Sequence, residues 1–256
     1  MLNPLLELNH VYFSYQTPSG ETPVISNISF SIHPHEFLGL IGPSGCGKST
    51  LLSLIFGLLS PSSGTIKNYI PHDKNHPPCG YMLQKDHLFE WRSIYKNMIL
   101  GLEIQHCHTP QKEAFILHLL QEYGLMPFKN ARPSQLSGGM RQRAALIRTL
   151  ALEPSLLLLD EPFSALDAQT RLSVSEDIFN ILKKEKKSAV LITHDIAEAI
   201  SFCHRIIILS ERPAYIQKII SLPDELKNAS PLHARNIPEF QTYFKMIWEE
   251  LHHDSI

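Results

Sequence analysis

A chain of 256 residues and 29.1 kDa can form one large domain or two small ones. Its 43% hydrophobic and 19% charged residues are ordinary for a globular protein, so the composition argues against disorder. With 23 Lys and Arg against 25 Asp and Glu, the net charge of −2 lacks the basic excess of a nucleic-acid-binding protein.

The sequence shows no sign of a membrane span or of secretion. The longest strongly apolar stretch is Leu51–Leu59, far shorter than the roughly 20 residues of a membrane helix. The N-terminus MLNPLLELNH lacks the basic region and long apolar run of a signal peptide. Four scattered cysteines without metal-like pairing are typical of a reduced cytosolic protein. We therefore expect a soluble intracellular protein.

The first 35 residues predict a small antiparallel sheet. Apolar residues alternate partly with period two on both sides of the turn-rich segment Thr17-Pro18-Ser19-Gly20. The alternating residues are Leu6, Leu8, Val11, Phe13 and Tyr15, then Ile25, Ile28, Phe30 and Ile32.

Four short apolar runs further along predict strands that are buried on both faces, as in a parallel sheet covered by helices. They are Phe37–Ile41, Leu156–Leu159, Ala189–Ile192 and Ile206–Leu209. Helical patterns lie between them, which indicates an α/β fold. One predicted helix, with apolar residues from Val174 to Leu182, ends in the basic run Lys183–Lys187, which complements the helix dipole. We interpret that run as a solvated surface rather than a nucleic-acid site.

Between about residues 88 and 152 the strand signal vanishes and a helical insert is predicted. Thr109-Pro110 is a favourable helix start, with a capping hydroxyl followed by proline at the first helical position. Apolar residues from Ile116 to Tyr123 form one face, and Gly124 is a favourable stop. No repeat with a period of 20 to 50 residues is present, which excludes solenoids and tandem copies of one unit.

The segment after the first predicted buried strand fits the phosphate-loop pattern G-x-x-x-x-G-K-[ST]. Glycines allow backbone N–H groups to cradle phosphate oxygens, and the helix that follows adds its positive N-terminal end. Lys48 would reach the β- and γ-phosphates and the Ser49 hydroxyl would reach Mg²⁺. Cys46 is interpreted as a small loop residue rather than a nucleophile, and an accidental glycine-rich turn is the alternative to the whole motif. The residues are Gly42, Pro43, Ser44, Gly45, Cys46, Gly47, Lys48, Ser49 and Thr50.

A second carboxylate motif follows the apolar run Leu156–Leu159. An apolar strand that ends in an acidic residue is the Walker B pattern, which would hold Asp160 near Mg²⁺. The adjacent Glu161 would point to the other side of the strand end, where it could orient or deprotonate a water molecule. The alternative is a solvated acidic residue with no role in binding. The phosphate loop about 110 residues upstream disfavours this alternative, because the two motifs together predict one nucleotide site.

The segment Leu136-Ser137-Gly138-Gly139-Met140-Arg141-Gln142-Arg143 decides between the nucleotide-binding families. At this point the sequence resembles the ATP-binding-cassette (ABC) family, whose signature is L-S-G-G-x-x-Q-R. Ser137, Gly138 and Gly139 would begin a helix whose N–H groups can face a phosphate. No guanine-reading N-K-x-D occurs, which disfavours a GTPase.

The resemblance covers about residues 5 to 220 and assigns further roles. It implies that Tyr15 stacks on adenine, although packing of this ring in the core is the alternative. Gln84 matches the glutamine that reaches Mg²⁺ and the attacking water. Ser164–Asp167 matches the segment that contacts a partner cassette, and His194, in Thr193-His194-Asp195, matches the histidine that contacts the γ-phosphate.

The fold implied by the resemblance is a P-loop NTPase with a RecA-like parallel-sheet core, an N-terminal antiparallel β subdomain and a helical insert. One ABC ATPase domain would cover residues 1–225, with the helical subdomain at about 88–152 and a short helical tail at 226–256. The sequence departs from the family at His35-Glu36, where Gly-Glu is usual, and at Phe89-Glu90-Trp91, where Leu-Pro-Trp is frequent. These departures concern only the turn at 34–36 and the surface near Trp91 that faces a membrane partner.

Within the family, the chain most resembles the cassettes of nitrate/sulfonate/taurine-type importers, on the residues Glu161–Asp167, Leu209–Pro213 and Trp91-Arg92. The resemblance implies an ATPase at the inner face of the cell membrane that uses ATP and Mg²⁺. Ser49, Gln84 and Asp160 would hold the Mg²⁺ ion. The catalytic residues would be Glu161, Gln84 and His194. Its partners would be membrane permease subunits, a second copy of the cassette and, indirectly, a solute-binding protein, with no nucleic acid. A soluble cassette acting on nucleic acid or ribosomes and a non-hydrolysing regulatory cassette are the alternatives.

The remaining features predict little chemistry. The histidine pairs lack a third ligand, so we interpret them as surface residues rather than metal ligands; they are His72/His76, His106/His108 and His252/His253. After Pro238, aromatic and aliphatic residues from Phe240 to Leu251 are spaced as an amphipathic helix. We expect this helix to pack on its own core, with a subunit contact as the alternative and a membrane surface disfavoured by its acidic polar face.

Overall fold

The computed structural model describes residues 3–18, 20–70 and 77–252. The sequence-based interpretations of Ser19, His72, His76 and His253, and of the end of the tail, therefore lie outside the described residues. No helix within these ranges is long and apolar enough to cross a membrane.

The described residues form two sheets and ten α-helices. The strands are β1 Leu6–Thr17, β2 Gly20–Ile32, β3 Phe37–Ile41, β4 Ser63–Asn68, β5 Cys79–Met82, β6 Leu156–Asp160, β7 Ser188–Ile192, β8 Arg205–Leu209 and β9 Ile216–Ser221. The helices are α1 Lys48–Phe56, α2 Ile94–Met98, α3 Leu100–Ile104, α4 Pro110–Glu122, α5 Gly138–Leu150, α6 Ala168–Lys184, α7 Ile196–Phe202, α8 Asp224–Asn228, α9 Pro231–Ala234 and α10 Glu239–His252. Two 3₁₀ turns, Met126–Phe128 and Pro133–Gln135, precede α5.

The larger sheet has the strand order β5-β6-β7-β3-β8-β9. The pairs from β5 to β8 are parallel, and β9 joins the edge antiparallel. The four apolar runs are β3, β6, β7 and β8, which confirms the predicted α/β fold. All residues of β3, β6 and β7 are buried.

Alternate side chains of β3 enter two different cores. Leu38 and Leu40 join the core formed with β1, β2 and α1, whereas Phe37 and Ile41 join the core formed with the other helices. Burial of each such side chain stabilises the fold by about 1.5–3 kcal/mol. The central strands are therefore held from both faces.

The smaller sheet has the order β2-β1-β4, with both pairs antiparallel. The predicted β1–β2 pair is confirmed. The sequence did not indicate β4, β5 or β9. β4 is polar and mostly exposed, β5 has only four residues including Gly80, and β9 is apolar mainly on one face. Tertiary pairing therefore decides these three strands, because their own patterns are weak.

Helix α4 begins and ends where its capping residues predicted. Thr109 accepts a hydrogen bond from the Lys112 backbone N–H at the start of α4, and Gly124, at φ 70°, follows its end. Before β3, His35 adopts φ 61°, the left-handed conformation that glycine adopts without strain. The family's usual glycine and this histidine therefore meet the same backbone requirement.

Helices α2 to α5 lie between β5 and β6, and α8 to α10 follow β9. The predicted boundary between residues 225 and 226 falls within α8. The division into one ABC domain, a helical subdomain and a tail stays a prediction. Helix α10 packs on α7 and β8 and buries Phe240 and Ile247, which is the packing on its own core that the pattern predicted.

Candidate nucleotide site

The phosphate loop connects the end of β3 to the start of α1. Gly45 and Gly47 have φ values of 76° and 123°, and a Cβ on Gly47 would lie 2.8 Å from the Val24 side chain. Only glycine meets both the backbone and the steric requirement at position 47. The loop thus presents its backbone N–H groups together with the N-terminus of α1, which is an arrangement suited to anions.

Lys48 is 7% exposed, and its Nζ donates hydrogen bonds to the carbonyl oxygens of Gly42 and Pro43, each at 2.8 Å. A buried ammonium needs such acceptors, because an unpaired buried charge is costly. Cys46 is also buried, and burial raises the pKa of its thiol. A thiol with a raised pKa is a poor nucleophile, consistent with the interpretation of Cys46 as a small loop residue.

Asp160, at the end of β6, lies beside the phosphate loop. Its Oδ1 accepts a hydrogen bond from Ser49 Oγ at 3.1 Å, and its Oδ2 accepts one from the Tyr81 hydroxyl at 3.3 Å. Burial raises the pKa of Asp160, and burial together with the Asp160 charge raises the pKa of Tyr81 to about 12. Within the described part of the chain, the Asp160 carboxylate accepts side-chain hydrogen bonds from hydroxyl groups and from no lysine or arginine. This set of oxygen ligands fits Mg²⁺, which prefers oxygen.

Glu161, Gln84 and His194 meet at the rim of the same site. Gln84 Nε2 donates a hydrogen bond to Glu161 Oε2 at 3.0 Å, and His194 Nδ1 lies 3.5 Å from that oxygen. Glu161 adopts φ 45° and its backbone N–H donates to the Ile192 carbonyl. This backbone conformation directs adjacent carboxylates to different partners, Asp160 to Ser49 and Glu161 to Gln84.

A cavity of about 280 Å³ lies between the phosphate loop and Glu161. It is lined by Tyr15, Val24, Ser44, Gly45, Gly47, Lys48, Ser49, Thr50, Glu161 and Arg212. Tyr15 is 40% exposed and its hydroxyl lies 3.3 Å from Thr50 Oγ1, so the ring is not a core residue. Its stacking on adenine stays a prediction.

Val24 and Arg212 are lining residues that the sequence reasoning did not place at the site. Arg212 Nε donates to the Pro23 carbonyl at 3.0 Å, which brings a cation to the cavity from the segment after β8. The sequence gives one indication of this position: Arg212 lies shortly after the buried strand β8, and the carboxyl ends of parallel strands lie on the same side of a sheet.

The signature residues Ser137, Gly138 and Gly139 lie at the start of α5 and do not line this cavity. Ser137 is exposed and its Oγ accepts a hydrogen bond from the Met140 backbone N–H at 3.4 Å. A Cβ on Gly139 would lie 2.9 Å from the Thr170 side chain, so this glycine permits α5 to pack on α6.

Comparison with known proteins identifies the family. Residues 25–164 match the family model described as ABC transporter. The chain belongs to the ABC transporter family. It is an ATP-binding cassette of the kind that hydrolyses ATP.

Similar proteins cover almost the whole cassette. An uncharacterized ABC transporter ATP-binding protein of Bacillus subtilis, YtlC, is 49% identical over 248 residues, which are 96% of this chain and 95% of that protein. A nitrate import ATP-binding protein, NrtD of Synechocystis, is 38% identical over 93% of this chain and 91% of its own length. A taurine import ATP-binding protein, TauB of Jannaschia, is 35% identical over 95% and 94%.

A solved structure supports the same fold. The dimeric post-hydrolysis state of the cassette MJ0796 bound to ADP and Pi matches with a TM-score of 0.71 and 28% identity, over 85% of this chain and 99% of that chain. The predicted P-loop ABC fold and the family resemblance are therefore confirmed.

The segment after Gln84 joins the cassette's site to α5. Arg141 donates to both carboxylate oxygens of Asp86 at 2.8 and 3.2 Å and to Glu90 at 3.0 Å, and Arg148 donates to the backbone carbonyls of Asp86 and His87. Burial opposes ionisation of Asp86, but the hydrogen bonds from Arg141 hold its pKa below the usual value. A displacement of this segment would therefore act on the helix that carries the signature.

A buried carboxyl group, Glu198, lies behind the His194 segment. Asp195 caps α7 by accepting from the Glu198 backbone N–H at 3.1 Å, and its carboxylate lies 3.4 Å from Arg171 Nη1. Glu198 is 6% exposed, and burial raises its pKa from 4.5 to about 7. This group therefore titrates near neutral pH without lining the phosphate cavity.

The first prediction concerns this titration. Folded Glu198 holds its proton to a higher pH than the unfolded chain does, so the folded state loses stability as the pH rises from about 4.5 to about 7. Glu198→Gln removes this loss. The free energy of unfolding of the variant, relative to that of the native chain, should rise by about 2–3 kcal/mol between pH 5 and pH 8, as measured by urea unfolding.

Glu225→Gln is the control, because Glu225 is exposed on α8 and its replacement should leave the pH profile unchanged. Parallel pH profiles for the native chain and Glu198→Gln would contradict the prediction.

Proposed function

We propose that this cassette is the ATP-hydrolysing subunit that energises solute import by a membrane ABC transporter, of the nitrate/sulfonate/taurine type. One observation carries the hydrolytic part. Residues of the phosphate loop and Glu161 line one cavity, Asp160 is hydrogen-bonded to Ser49 there, and Gln84 and His194 lie beside Glu161. The relatives named for nitrate import and taurine import support the transport part.

In this proposal, the N–H groups of the phosphate loop and the Lys48 ammonium bind the β- and γ-phosphates of ATP. Lys48 now donates to the loop's own carbonyl oxygens, so its ammonium is already at the loop and can exchange these acceptors for phosphate oxygens. Tyr15 and Arg212 line the other part of the cavity and would contact the rest of the nucleotide. Electrostatic stabilisation of the transferring phosphoryl group is the main catalytic contribution in this class of reaction.

Ser49, Asp160 and Gln84 are the residues that would hold Mg²⁺. The ion supplies positive charge that neutralises the phosphate oxygens. Asp160 is suited to this role because its carboxylate is buried, and Tyr81 and Ser49 orient both of its oxygens.

Glu161 would accept a proton from the water that attacks the γ-phosphorus, and the products would be ADP and phosphate. Gln84 holds the Glu161 carboxylate at 3.0 Å and thereby fixes where the base lies. His194, whose imidazole is 3.5 Å from the same carboxylate, would contact the γ-phosphate. Asp160, Glu161 and His194 are all present, which argues against a non-hydrolysing regulatory cassette.

A second copy of the chain would complete the site. Ser137–Gly139 are at the exposed start of α5, outside the cavity of their own chain, and would face the ATP of the partner copy. Two copies would then enclose two ATP molecules. The similarity to a dimeric cassette bound to ADP and Pi supports this arrangement.

The permease would bind a groove between the end of α1, β5, α3 and α5. This groove of about 300 Å³ is mainly apolar and is lined by Phe56, Leu100, Ile104 and Leu152, of which Ile104 is 68% exposed. Trp91, 70% exposed, offers a further apolar surface after Gln84. Binding there would place the chain at the inner face of the membrane, and a solute-binding protein would act through the permease.

The second prediction concerns Glu161→Gln, which keeps the side chain's shape but removes the base. ATP hydrolysis should fall by about 10²- to 10⁴-fold in a phosphate-release assay. ATP binding should persist, because Lys48, Ser49 and Asp160 are unchanged. The loss of two carboxylates near two triphosphates should favour a dimer with ATP and not with ADP, seen by gel filtration.

Two further variants serve as a contrast and a control. Asp160→Asn should lose Mg²⁺-dependent nucleotide binding itself, whereas Glu225→Gln should hydrolyse ATP normally. Normal hydrolysis by Glu161→Gln would overturn the assignment of Glu161 as the base.

The third prediction tests whether Ser137 acts on the partner's site. In the Glu161→Gln background, Ser137→Arg should leave the affinity of the monomer for ATP within about twofold but abolish the ATP-dependent dimer, because a bulky cation would occupy the contact between copies. Gln121→Arg, on an exposed position of α4, is the matched control and should dimerise. An undiminished dimer of the Ser137→Arg variant would refute the arrangement.

The fourth prediction separates the transporter from a cassette that acts on nucleic acid or ribosomes. Tagged chain purified from its native cells in detergent should carry a polytopic membrane protein, and Ile104→Glu should weaken this association because it places a charge in the apolar groove. Lys245→Glu, exposed on α10, is the control and should retain the membrane protein. Copurification of RNA in its place would favour the alternative.

A further inference from the structure

A second cavity lies at the amino ends of the strands of the larger sheet, whereas the phosphate loop follows the carboxyl end of β3. It has a volume of about 420 Å³, within the range of small-molecule pockets. We name it the basal cavity, defined by Phe37, Phe179, His204 and the four lysines Lys183, Lys186, Lys187 and Lys227. Because it adjoins the starts of β3, β7 and β8, ligand binding there would not compete with ATP for the same space.

The rim of the basal cavity is positively charged. Among the described residues, four lysines line it and no Asp or Glu does, although the chain as a whole has a net charge of −2. The basic run Lys183–Lys187 is therefore only partly a solvated surface. Lys184 points away and pairs with Glu122, while three other lysines of the run line the cavity.

The nearby carboxylates lie outside the lining of the basal cavity. Lys227 lies 3.6 Å from Asp224, whose side chain is 87% exposed, and Lys183 donates to the Asn228 carbonyl at 3.3 Å. Glu153 and Glu185 attract Lys187 without lining the cavity, and Glu36 is held by Arg205 at 2.8 Å. The exposed Lys227–Asp224 ion pair is weak and exchanges readily, so a bound anion could recruit the Lys227 amine.

The floor of the basal cavity is aromatic. Phe37 and Phe179 are buried with their ring centroids 5.5 Å apart, edge to face, and His204 stacks on Phe37 at 5.0 Å. The Phe37 backbone N–H donates to His204 Nδ1, so that nitrogen is an acceptor and Nε2 carries the proton. Burial also lowers the pKa of His204, which favours the neutral ring.

A basic rim over an aromatic floor is selective for one chemical class. The lysines would bind a phosphate or sulfonate group, whereas the ring edges would contact a flat apolar surface, because Phe37 already stacks on His204 and Lys183 Nζ lies 5.5 Å from the Phe179 ring centroid. We propose that the basal cavity is a second binding site, for a small organic anion that carries a phosphate or sulfonate group on a flat ring. The ring and the charged group are both required.

Calorimetric titration of the full chain with 1-naphthyl phosphate tests the proposal. Saturating Mg-ADP occupies the phosphate loop throughout. One molecule should bind per chain with a dissociation constant of about 0.1–1 mM, the range for a compact ligand of this size. Inorganic phosphate and 1-naphthol should each bind at least about tenfold more weakly, since each lacks one of the two required groups.

Lys186→Gln with Lys227→Gln removes two amines from the rim and should weaken binding of 1-naphthyl phosphate by at least about tenfold. Lys184→Gln with Lys245→Gln is the matched control, because it removes the same charge from exposed lysines outside the cavity. Circular dichroism establishes that both variants fold.

Three results would overturn the proposal. They are the absence of binding to the native chain, equal affinities for the two double variants, and equal affinity for inorganic phosphate, which would remove the need for a ring. These results are independent of ATP hydrolysis and of the permease.

Discussion

Burial of the central parallel strands on both faces is the constraint on which the site depends. Because β3, β6 and β7 are buried throughout and apolar except for Asp160 and Ser188 at strand ends, they can lie only between two covered faces, and helices or a second sheet must supply the cover. Parallel strands then end at one edge. The phosphate loop follows β3, Glu161 follows β6 and Arg212 lies after β8, so residues more than 100 positions apart line one cavity.

The electrostatics differ between the carboxyl ends and the amino ends of the parallel strands. At the carboxyl ends, beside the phosphate loop, each carboxylate is hydrogen-bonded to a neutral donor, Asp160 to Ser49 and Glu161 to Gln84. At the amino ends, four lysines surround an aromatic floor. The same sheet thus separates a site that matches a reacting triphosphate from a cavity that matches a ring-bearing anion.

Much of the fold and of the site could be predicted, because the decisive signals are local. Continuous apolar runs identified four of the parallel strands, and Thr109 and Gly124 identified the limits of a helix. β4, β5 and β9 could not be predicted, because their stability comes from pairing with strands that are distant in sequence. Arg212 and Val24 were missed for a related reason, since only the folded chain brings them to Lys48.

The sequence by itself determined the α/β class, the phosphate loop, the Asp160-Glu161 pair and the family, because each of these is a short pattern of residue types with its own physical requirement. Tertiary structure alone decided that Gln84 and His194 meet Glu161, that Ser137 lies outside the cavity of its own chain and that the basic run encloses a cavity. Those facts depend on how the strand ends and helices are arranged in space. No local pattern encodes the distance between side chains that approach one another only after the sheet has formed.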